Sequence, residues 1–421
     1  MFSLTQLRRG VVLMKQERKY PAATVSRKAE ASLRSGHPWV YDAEIKGLSA
    51  NPENGGIVDV FSDGGAYLGS GFFSEKSKIR IRLLSRNAND RFDDAFFARR
   101  VKYALDYRRT VMGTDFRCCR LIFGESDGLP GLTVDRFGDI LVSEVLSFGI
   151  NRVRDTVYRA LCDELSEDGT GIKGIYERNE SPIRALEGLE QGKGWYVSDF
   201  VGRPDSPLTE ITENGIVYAV DVKNGQKTGF FLDQKYNRQA VARLARGKKV
   251  LDCFTHTGSF ALNAALGGAE HVTAVDISQS ALDMARANAE RNGLDGKMDF
   301  LCADVFDLLP ELRDRHADYD FIILDPPAFT KSRRTIEKAE KGYREINYRA
   351  LKLLPRGGYL ATCSCSHFMS DEMFRKMLIS SARDAGVELK LIEARKQGPD
   401  HPILLNVPET DYLKFYLFQV V

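Results

Sequence analysis

The spacing of apolar residues along the chain changes its character three times. Between about residues 20 and 91, short alternating runs are separated by turn clusters rich in Asn, Asp and Gly, and this pattern is typical of a small β-barrel. Further on, Val101 and Leu105 belong to a run with helical spacing, and two later apolar runs flank a hairpin turn at Gly138-Asp139. Residues 92–200 are therefore predicted to form a central α+β domain.

From residue 201 onward, the pattern indicates a hairpin followed by alternating strands and helices. The predicted strands are 249–252, 271–276, 298–302, 320–325, 358–365 and 412–420, and the predicted helices are 234–246, 258–266, 278–292, 335–354 and 370–385. Such alternation indicates βαβ units and a parallel sheet covered by helices on both faces. The predicted fold class is therefore α/β, with a Rossmann-like domain over residues 201–421 after the barrel and the central domain, and an N-terminal extension over residues 1–19.

Composition narrows the class of protein only moderately. The chain has 421 residues and a net charge of +2, so a nucleic-acid partner has to be argued from local patches rather than from the total charge. No run approaches the roughly 18 apolar residues of a membrane helix, and no apolar leader is visible near the first residue. The seven cysteines are scattered and odd in number, which favours a reducing cytosol over a disulfide framework. We therefore expect a cytoplasmic protein without a membrane partner.

The loop after the first Rossmann-like strand is a candidate ligand site. It contains a single glycine, Gly258, and about 20 residues further on Asp276 ends the next strand, where a carboxylate accepts the hydroxyls of a ribose. Taken singly, these residues are an ordinary turn glycine and a helix-capping region that includes Ser278, but their order and spacing favour an adenosine ligand. Because the loop lacks the G-x-G-x-x-G run that holds a pyrophosphate, S-adenosylmethionine (SAM) is predicted rather than a nicotinamide cofactor.

Several segments are predicted to form the SAM pocket. Asp304, at the end of the third strand, is expected to bond the adenine amino group, while Val305 or Phe306 packs on the ring. The polar segment 224–234 either forms a wall of the pocket or is an ordinary linker that caps a helix. The residues predicted to contact SAM are Lys227, Thr228, Gly229, Phe231, Asp233, Gln234, Asp252, Phe254, Thr255, Gly258, Asp276, Ile277, Asp304, Val305, Phe306, Asp325 and Pro326.

Two further strand ends carry candidate chemistry. The prolines of Asp325-Pro326-Pro327 stop the fourth strand and hold Asp325 at the edge where ligands bind. On the fifth strand, Cys363, Cys365 and His367 share one face if the strand stays regular that far. Zinc ligation, plain buried cysteines and a thiolate nucleophile are the competing readings, and we favour the nucleophile. A thiolate that adds to carbon 6 of cytosine activates carbon 5 for methylation, with Asp325 at ring nitrogen 3 and His367 as a weak candidate for the proton-abstracting base.

The chain resembles the PUA-containing class I methyltransferases that make 5-methylcytidine in large-subunit ribosomal RNA. The resemblance spans nearly the whole chain and rests on five ordered blocks, which are 36–41, 124–132, 227–234, 325–327 and 362–366. It implies a PUA domain, SAM as cofactor and ribosomal RNA as partner. A non-catalytic RNA-binding protein with a methyltransferase fold is an alternative of another class, and a homodimer is a hypothesis that the sequence leaves open.

The same resemblance bears on the nucleophile. In RNA cytosine-5 enzymes the nucleophile follows a Gly-Gly pair, and the seventh residue after Gly358 is Cys365, whereas the Thr-Cys-Ser string read literally gives Cys363. We favour Cys365. The position of a second, product-releasing cysteine is held by Ala328, and the following Phe329 also suits enzymes that methylate base nitrogens without a thiol, so N-methylation of an adenine or guanine is the second hypothesis.

Two clusters of cations are candidates for RNA contact. Residues 76–83 alternate strictly, so Lys76, Lys78, Arg80 and Arg82 are predicted to form one cationic row without compensating acids. A solvated strand face is the simpler explanation of such a row. Lys331, Arg333 and Arg334 follow the Asp-Pro-Pro motif and are predicted to hold a phosphate beside a flipped base.

Overall fold

The computed structural model describes residues 19–167, 169, 171–330 and 332–421, and for Arg333 the backbone alone. Lys331 and all but the last residue of the predicted N-terminal extension therefore lie outside the described residues. None of the described helices is long and apolar enough to cross a membrane.

The N-terminal part of the described chain is a six-stranded sheet with one helix. Its elements are β1 (Ala22–Val25), α1 (Arg27–Arg34), β2 (Trp39–Tyr41), β3 (Ile45–Leu48), β4 (Ile57–Ser62), β5 (Tyr67–Phe73) and β6 (Ile79–Ser85), and the strand order is β2-β6-β5-β4-β1-β3. Val25, Val40, Val58 and Ile81 fill its core without exposed surface. The short strands and turns predicted from the sequence are present, and β2 and β3 form the two edges of the sheet.

The central part packs helices on a five-stranded sheet. Its elements are α2 (Asp94–Met112), β7 (Cys118–Phe123), β8 (Leu132–Phe137), β9 (Ile140–Val145), α3 (Phe148–Glu167), β10 (Gly174–Asn179), α4 (Ile183–Glu187) and β11 (Gly192–Trp195), in the strand order β11-β10-β9-β8-β7. The predicted hairpin is confirmed, because β8 and β9 pair antiparallel from Leu132–Val145 to Phe137–Ile140 around the turn. This sheet shares a buried cluster with the C-terminal part, in which Phe137 and Val142 pack together with Tyr218 and Val250.

The C-terminal part is a hairpin followed by a seven-stranded sheet. The elements are β12 (Leu208–Glu213), β13 (Ile216–Asp221), α5 (Lys235–Leu244), β14 (Lys249–Cys253), α6 (Ser259–Leu266), β15 (His271–Asp276), α7 (Gln279–Arg291), β16 (Met298–Cys302), α8 (Val305–Asp314), β17 (Phe321–Leu324), α9 (Ile336–Leu353), β18 (Tyr359–Ser364), α10 (Asp371–Ala385), β19 (Leu389–Arg395) and β20 (Lys414–Val420). The strand order is β16-β15-β14-β17-β18-β20-β19.

The predicted α/β class is confirmed, with one correction and two additions. The sheet is not wholly parallel, because β20 pairs antiparallel with both β18 and β19. Helix α8 and strand β19 were not predicted. The order reverses at β14, with β15 on one side and β17 on the other, so the carboxyl ends of these strands border a crevice of the kind in which ligands bind.

Candidate active site

The loop after β14 is held in an unusual conformation by β15. The backbone N–H of His256 donates to Asp276 Oδ2 at 2.9 Å, and that of Thr255 donates to the carbonyl of Val275 at 2.9 Å. Phe254 and His256 have positive φ angles of 65° and 52°, which are uncommon for non-glycine residues and are enriched at functional sites. The loop therefore presents a fixed surface at the sheet edge.

Steric constraints explain why position 258 is a glycine. Its φ of +83° favours glycine, and a Cβ atom there would meet Ala285 of α7 at 3.0 Å. The close approach at this glycine is thus one between two protein segments at the start of α6.

The next two strand ends add two carboxylates and an exposed apolar side chain to the same edge. Asp276 also accepts a hydrogen bond from the Ser278 N–H at 2.9 Å, and the neighbouring Ile277 is 72% exposed, which is a large exposed fraction for an apolar side chain. Asp304 caps α8 by accepting from the Phe306 N–H at 2.8 Å, and Val305 is buried in the core. Ile277 is therefore better placed than Val305 to pack on a ring that enters this crevice.

Asp252 has a buried oxygen without a partner among the described residues. Its Oδ2 accepts from the Thr255 hydroxyl at 2.6 Å and from the Ala261 N–H at 2.9 Å, while Oδ1 is enclosed and unbonded. Burial raises the pKa of this carboxyl to about 7. A buried acceptor of this kind suits a cationic ligand group, and SAM carries two such groups, so these residues fit the predicted cofactor.

Asp325 lies at the end of β17, between a glutamine and a cysteine. Gln234 donates from Nε2 to Asp325 Oδ1 at 3.0 Å, and Asn237 in turn donates to Gln234 Oε1 at 2.6 Å. Cys363 also hydrogen-bonds to Asp325, and burial raises the pKa of Asp325 to about 6. This carboxyl is thus oriented by neutral partners and changes its protonation state near neutral pH.

The two candidate cysteines differ in access. Strand β18 ends at Ser364, so the regular alternation stops before Cys365, and His367 is exposed beside the ring of Phe368 rather than on a shared face. Cys363 has no exposed surface, whereas Cys365 is half-buried. Burial, and then the charge of Asp325, raise the pKa of the Cys365 thiol to about 11. The accessible thiol is therefore Cys365.

A buried lysine stands next to this thiol. The ammonium of Lys414 donates to the carbonyls of Ser366 and Tyr412 at 2.6 and 2.8 Å, and its charge favours the thiolate of Cys365. Burial lowers the pKa of Lys414 to about 8. The sequence analysis missed this residue, because nothing near position 414 marks it and β20 brings it to the site from the far end of the domain.

The segment 227–234 faces the central sheet. Thr228 donates to Asp135 Oδ2 at 2.6 Å, and Arg120 forms an ion pair with the same carboxylate at 2.7 Å. Lys227 is exposed above the ring of Phe231 at 5.0 Å, whereas Gly229, Asp233, Gln234 and Pro326 are buried. The segment is therefore held against the central sheet, and its partners Arg120 and Asp135 were absent from the sequence-based site.

The prediction of an uncompensated cationic row is wrong for two of its four residues. Lys76 and Lys78 precede β6 and are exposed, but Arg80 pairs with Asp42 at 2.7 Å. Arg82 is buried and pairs with Glu187 of α4 at 2.9 Å. Both arginines thus have the compensating acids that the sequence pattern did not reveal. Among the side chains of the two clusters that the structure describes, the exposed cations are Lys76, Lys78 and Arg334.

Comparison with known proteins assigns families to two parts of the chain. Residues 198–419 match the family model of S-adenosylmethionine-dependent methyltransferases, and residues 23–86 match the model of PUA-like domains. The chain is 39% identical over 404 residues to the ribosomal RNA large subunit methyltransferase I of Klebsiella pneumoniae (strain 342), covering 96% of this chain and 99% of that one. It is 41% identical over 390 residues to the protein of the same name from Aeromonas salmonicida (strain A449), covering 91% and 96%.

Two solved structures share the fold. One is a protein from Streptococcus mutans described as a SAM-dependent methyltransferase, with a TM-score of 0.79 and 24% identity over 94% of this chain and 99% of the other. The second is a methyltransferase solved in complex with SAH, with a TM-score of 0.80, 24% identity and the same coverage. At this level of sequence identity, the two structures support the fold assignment and nothing further.

Proposed function

This chain belongs to the ribosomal RNA large subunit methyltransferase I family and is a SAM-dependent methyltransferase, and we propose that it methylates carbon 5 of a cytidine in large-subunit ribosomal RNA. The observation that carries the proposal is the accessible thiol of Cys365 beside Asp325 at the carboxyl edge of the sheet. Methylation of a base nitrogen needs no thiol at this place, whereas methylation of carbon 5 does.

Each side chain has one task in the proposed reaction. The sulfur of Cys365 bonds to carbon 6 of the cytosine, and Asp325, oriented by Gln234, holds a proton at ring nitrogen 3 so that negative charge does not accumulate on the ring. When bound, SAM supplies the methyl group and leaves as SAH. After transfer, carbon 5 loses its proton to a base, the carbon–sulfur bond breaks, and nitrogen 3 returns its proton to Asp325.

The Cys365 thiol has a raised pKa in the free protein, so substrate binding has to favour the thiolate. Lys414 supplies one favourable charge, and protonation of Asp325 removes an unfavourable one. We therefore propose that Cys365 is activated only when the base and its proton are in place.

A 5-fluorocytidine RNA tests the proposal. Because fluorine replaces the proton that must leave carbon 5, the enzyme remains covalently attached to the RNA after methyl transfer. We expect a denaturant-resistant complex with the wild-type protein and with Cys363→Ala, and none with Cys365→Ala. Persistence of the complex in Cys365→Ala together with its loss in Cys363→Ala would transfer the role to Cys363.

N-methylation of an adenine or guanine is the second candidate. The feature that favours it is the Asp325-Pro326-Pro327-Ala328-Phe329 string, because no second cysteine follows the prolines. The ring centroid of Phe329 lies 4.6 Å from that of Tyr343. Mass spectrometry of ribosomal RNA nucleosides from a deletion strain separates the two candidates. Loss of 5-methylcytidine supports the first, and loss of an N-methyl base with 5-methylcytidine unchanged supports the second.

Large-subunit ribosomal RNA is the proposed partner, and Lys76, Lys78 and Arg334 are the proposed phosphate contacts. Replacement of each by Ala should weaken RNA binding and reduce its dependence on salt, without changing SAM affinity. A homodimer stays a prediction, which light scattering of the purified protein tests.

A further inference from the structure

A cavity of about 510 Å³ lies between the central sheet and the segment 227–233. The central sheet contributes Arg120 from β7 and Glu144 from β9, and the opposite wall contains Asp233 and Tyr412. The volume lies in the range of pockets that hold small organic groups. The cavity adjoins the proposed reaction centre, because Gln234, the residue after Asp233, donates to Asp325, and Lys414 links the carbonyl of Tyr412 to that of Ser366, the residue after Cys365.

Asp233 lines this cavity and carries an acceptor oxygen that has no donor in the described part of the chain. It is 6% exposed, its Oδ2 accepts from the Tyr412 hydroxyl at 2.6 Å, and its buried Oδ1 has no hydrogen-bond partner among the described residues. Burial opposes its ionisation, but the charges of Lys227 and His401 and the Tyr412 hydroxyl hold the pKa of Asp233 below its ordinary value. An ionised, buried oxygen without a donor is costly unless a ligand supplies one.

Asp325 has the opposite character. Burial and the neighbouring Asp233 raise its pKa to about 6, so of the two carboxyl groups it is Asp325 that takes up a proton and Asp233 that stays an acceptor. Cytosine offers an acceptor at nitrogen 3 and a donor at its exocyclic amino group, whereas uracil offers the reverse pattern at the same two positions. One protonated and one ionised carboxyl therefore match cytosine and mismatch uracil.

We propose that the cavity is the acceptor-base subsite and that Asp233 accepts a hydrogen bond from the exocyclic amino group of the target base, so that this residue selects cytosine over uracil. The proposal rests on the function proposed above and adds the residue that determines its specificity. Asp233 was predicted from the sequence to contact SAM, so this assignment moves it from the cofactor to the acceptor. The Tyr412 hydroxyl positions the carboxylate by occupying its other oxygen.

Covalent trapping with two RNAs that differ in one base tests the proposal. The target position holds either 5-fluorocytidine or 5-fluorouridine, and the proteins are wild type, Asp233→Asn and the matched control Glu144→Gln, which changes another carboxyl of the same cavity. Wild type and Glu144→Gln should trap the cytidine RNA at least about 100-fold faster than the uridine RNA, because a buried acceptor left without its donor is strongly disfavoured. Asp233→Asn should reduce this ratio to within about tenfold, because an amide presents either a donor or an acceptor.

A third RNA tests the same contact without relying on a variant. It carries 5-fluoro-pyrimidin-2-one, which lacks the amino group. Wild-type protein should be trapped about 100-fold more slowly by this RNA than by the 5-fluorocytidine RNA, whereas the trapping rate of Asp233→Asn should fall much less between the two RNAs. The contrary result, an unchanged wild-type rate, overturns the role of Asp233 even if the variant does not fold.

Other outcomes identify what has failed. A cytidine-to-uridine ratio that stays high in Asp233→Asn, with SAM affinity weakened more than about tenfold, returns Asp233 to the cofactor pocket and overturns the proposal. A ratio lost in Glu144→Gln but kept in Asp233→Asn overturns it in favour of Glu144. Absence of any adduct between wild type and 5-fluorocytidine RNA refutes the proposed function itself, and the subsite with it.

Discussion

The crevice has a proposed adenosine side and a proposed acceptor side, which are built in different ways. The adenosine side comes from one continuous stretch, residues 252–306, and its main contacts are hydrogen bonds from backbone N–H groups to Asp252 and Asp276. The acceptor side combines residues from β7, from the segment 227–234, from the ends of β17 and β18, and from the start of β20. Its contacts are mostly between side chains that are far apart in the sequence.

The two sides also differ in electrostatics. On the adenosine side, Asp276 and Asp304 are at least partly accessible and each is satisfied by local N–H groups. On the acceptor side, Asp135 is fully buried and depends on Arg120 for its charge balance, and the pKa of Asp135 is held below its ordinary value by that arginine in spite of burial. A substitution on the adenosine side should therefore act locally, whereas one on the acceptor side should propagate through coupled charges.

The largest expected effect separates chemistry from cofactor binding. Cys365→Ala should reduce kcat by on the order of 10⁴-fold or more, because the proposed covalent route is lost, while SAM affinity stays within about twofold of wild type. Single-turnover methylation and calorimetric SAM titration measure the two quantities. Cys363→Ala is the matched control and should retain most activity; equal losses in the two variants would contradict the distinction between the accessible and the buried thiol.

Removal of one acceptor-side charge should cost stability as well as activity. Arg120→Met leaves Asp135 buried without its cation, and we expect the free energy of unfolding to fall by about 3–5 kcal/mol, as measured by denaturant titration. Thr228→Val removes only a hydroxyl from the same carboxylate and should cost about 1 kcal/mol. A small effect of Arg120→Met would show that the acceptor side is less coupled than its contacts suggest.

The corresponding change on the adenosine side should weaken SAM binding without altering the acceptor side. Asp276→Ala should lower SAM affinity by about 100-fold or more, since it removes both the proposed hydrogen bonds to the ribose and those that Asp276 accepts from the His256 and Ser278 N–H groups. The rate of Cys365 alkylation by iodoacetamide should stay at the wild-type value, because the acceptor side is built separately. A parallel fall in alkylation would indicate that the two sides are coupled.

The smallest expected effect is a pH dependence of SAM affinity. Because the pKa of Asp252 is raised to about 7, this carboxyl is mostly neutral below pH 7 and ionised above it, and a cationic ligand favours the ionised form. SAM affinity should therefore rise by up to about tenfold per pH unit between pH 5.5 and 7 and then level off. Calorimetry at several pH values measures this, and Asp252→Asn should flatten the curve; an affinity that rises as the pH falls would rule out the contact.

The sequence predicted the strands and strand ends of the proposed adenosine side well because their signals are local. Strands β15 and β16 have the predicted bounds, and Asp252, Asp276 and Asp304 stand at the strand ends where the pattern located them. The family matches confirm SAM, the enzyme class and the PUA-like domain. Helix α8 was missed because Pro310 interrupts its helical signal, and β19 because three of its seven residues are charged and the strand has no clean alternation.

The acceptor side was predicted only where a motif marked it. Asp325 and Cys365 follow apolar strands and were identified, but Arg120, Tyr412 and Lys414 lie in segments without a recognisable pattern. The row from Lys76 to Arg82 shows the converse error, because a period of two tells which residues share a face but not that Glu187 of another domain covers it. Contacts between distant segments are what a single sequence leaves open.

The position of β20 has a consequence for the order in which the enzyme is assembled during its synthesis. In the described sheet β19 pairs only with β20, which follows it in the chain and lies between it and β18. A nascent chain that has emerged from the ribosome as far as β19 therefore has neither Tyr412 nor Lys414 in place, and it also lacks Phe415 and Leu417, which pack in the core with Val250. The acceptor side of the site is thus completed last, when the final strand of the chain is added between two strands that already exist.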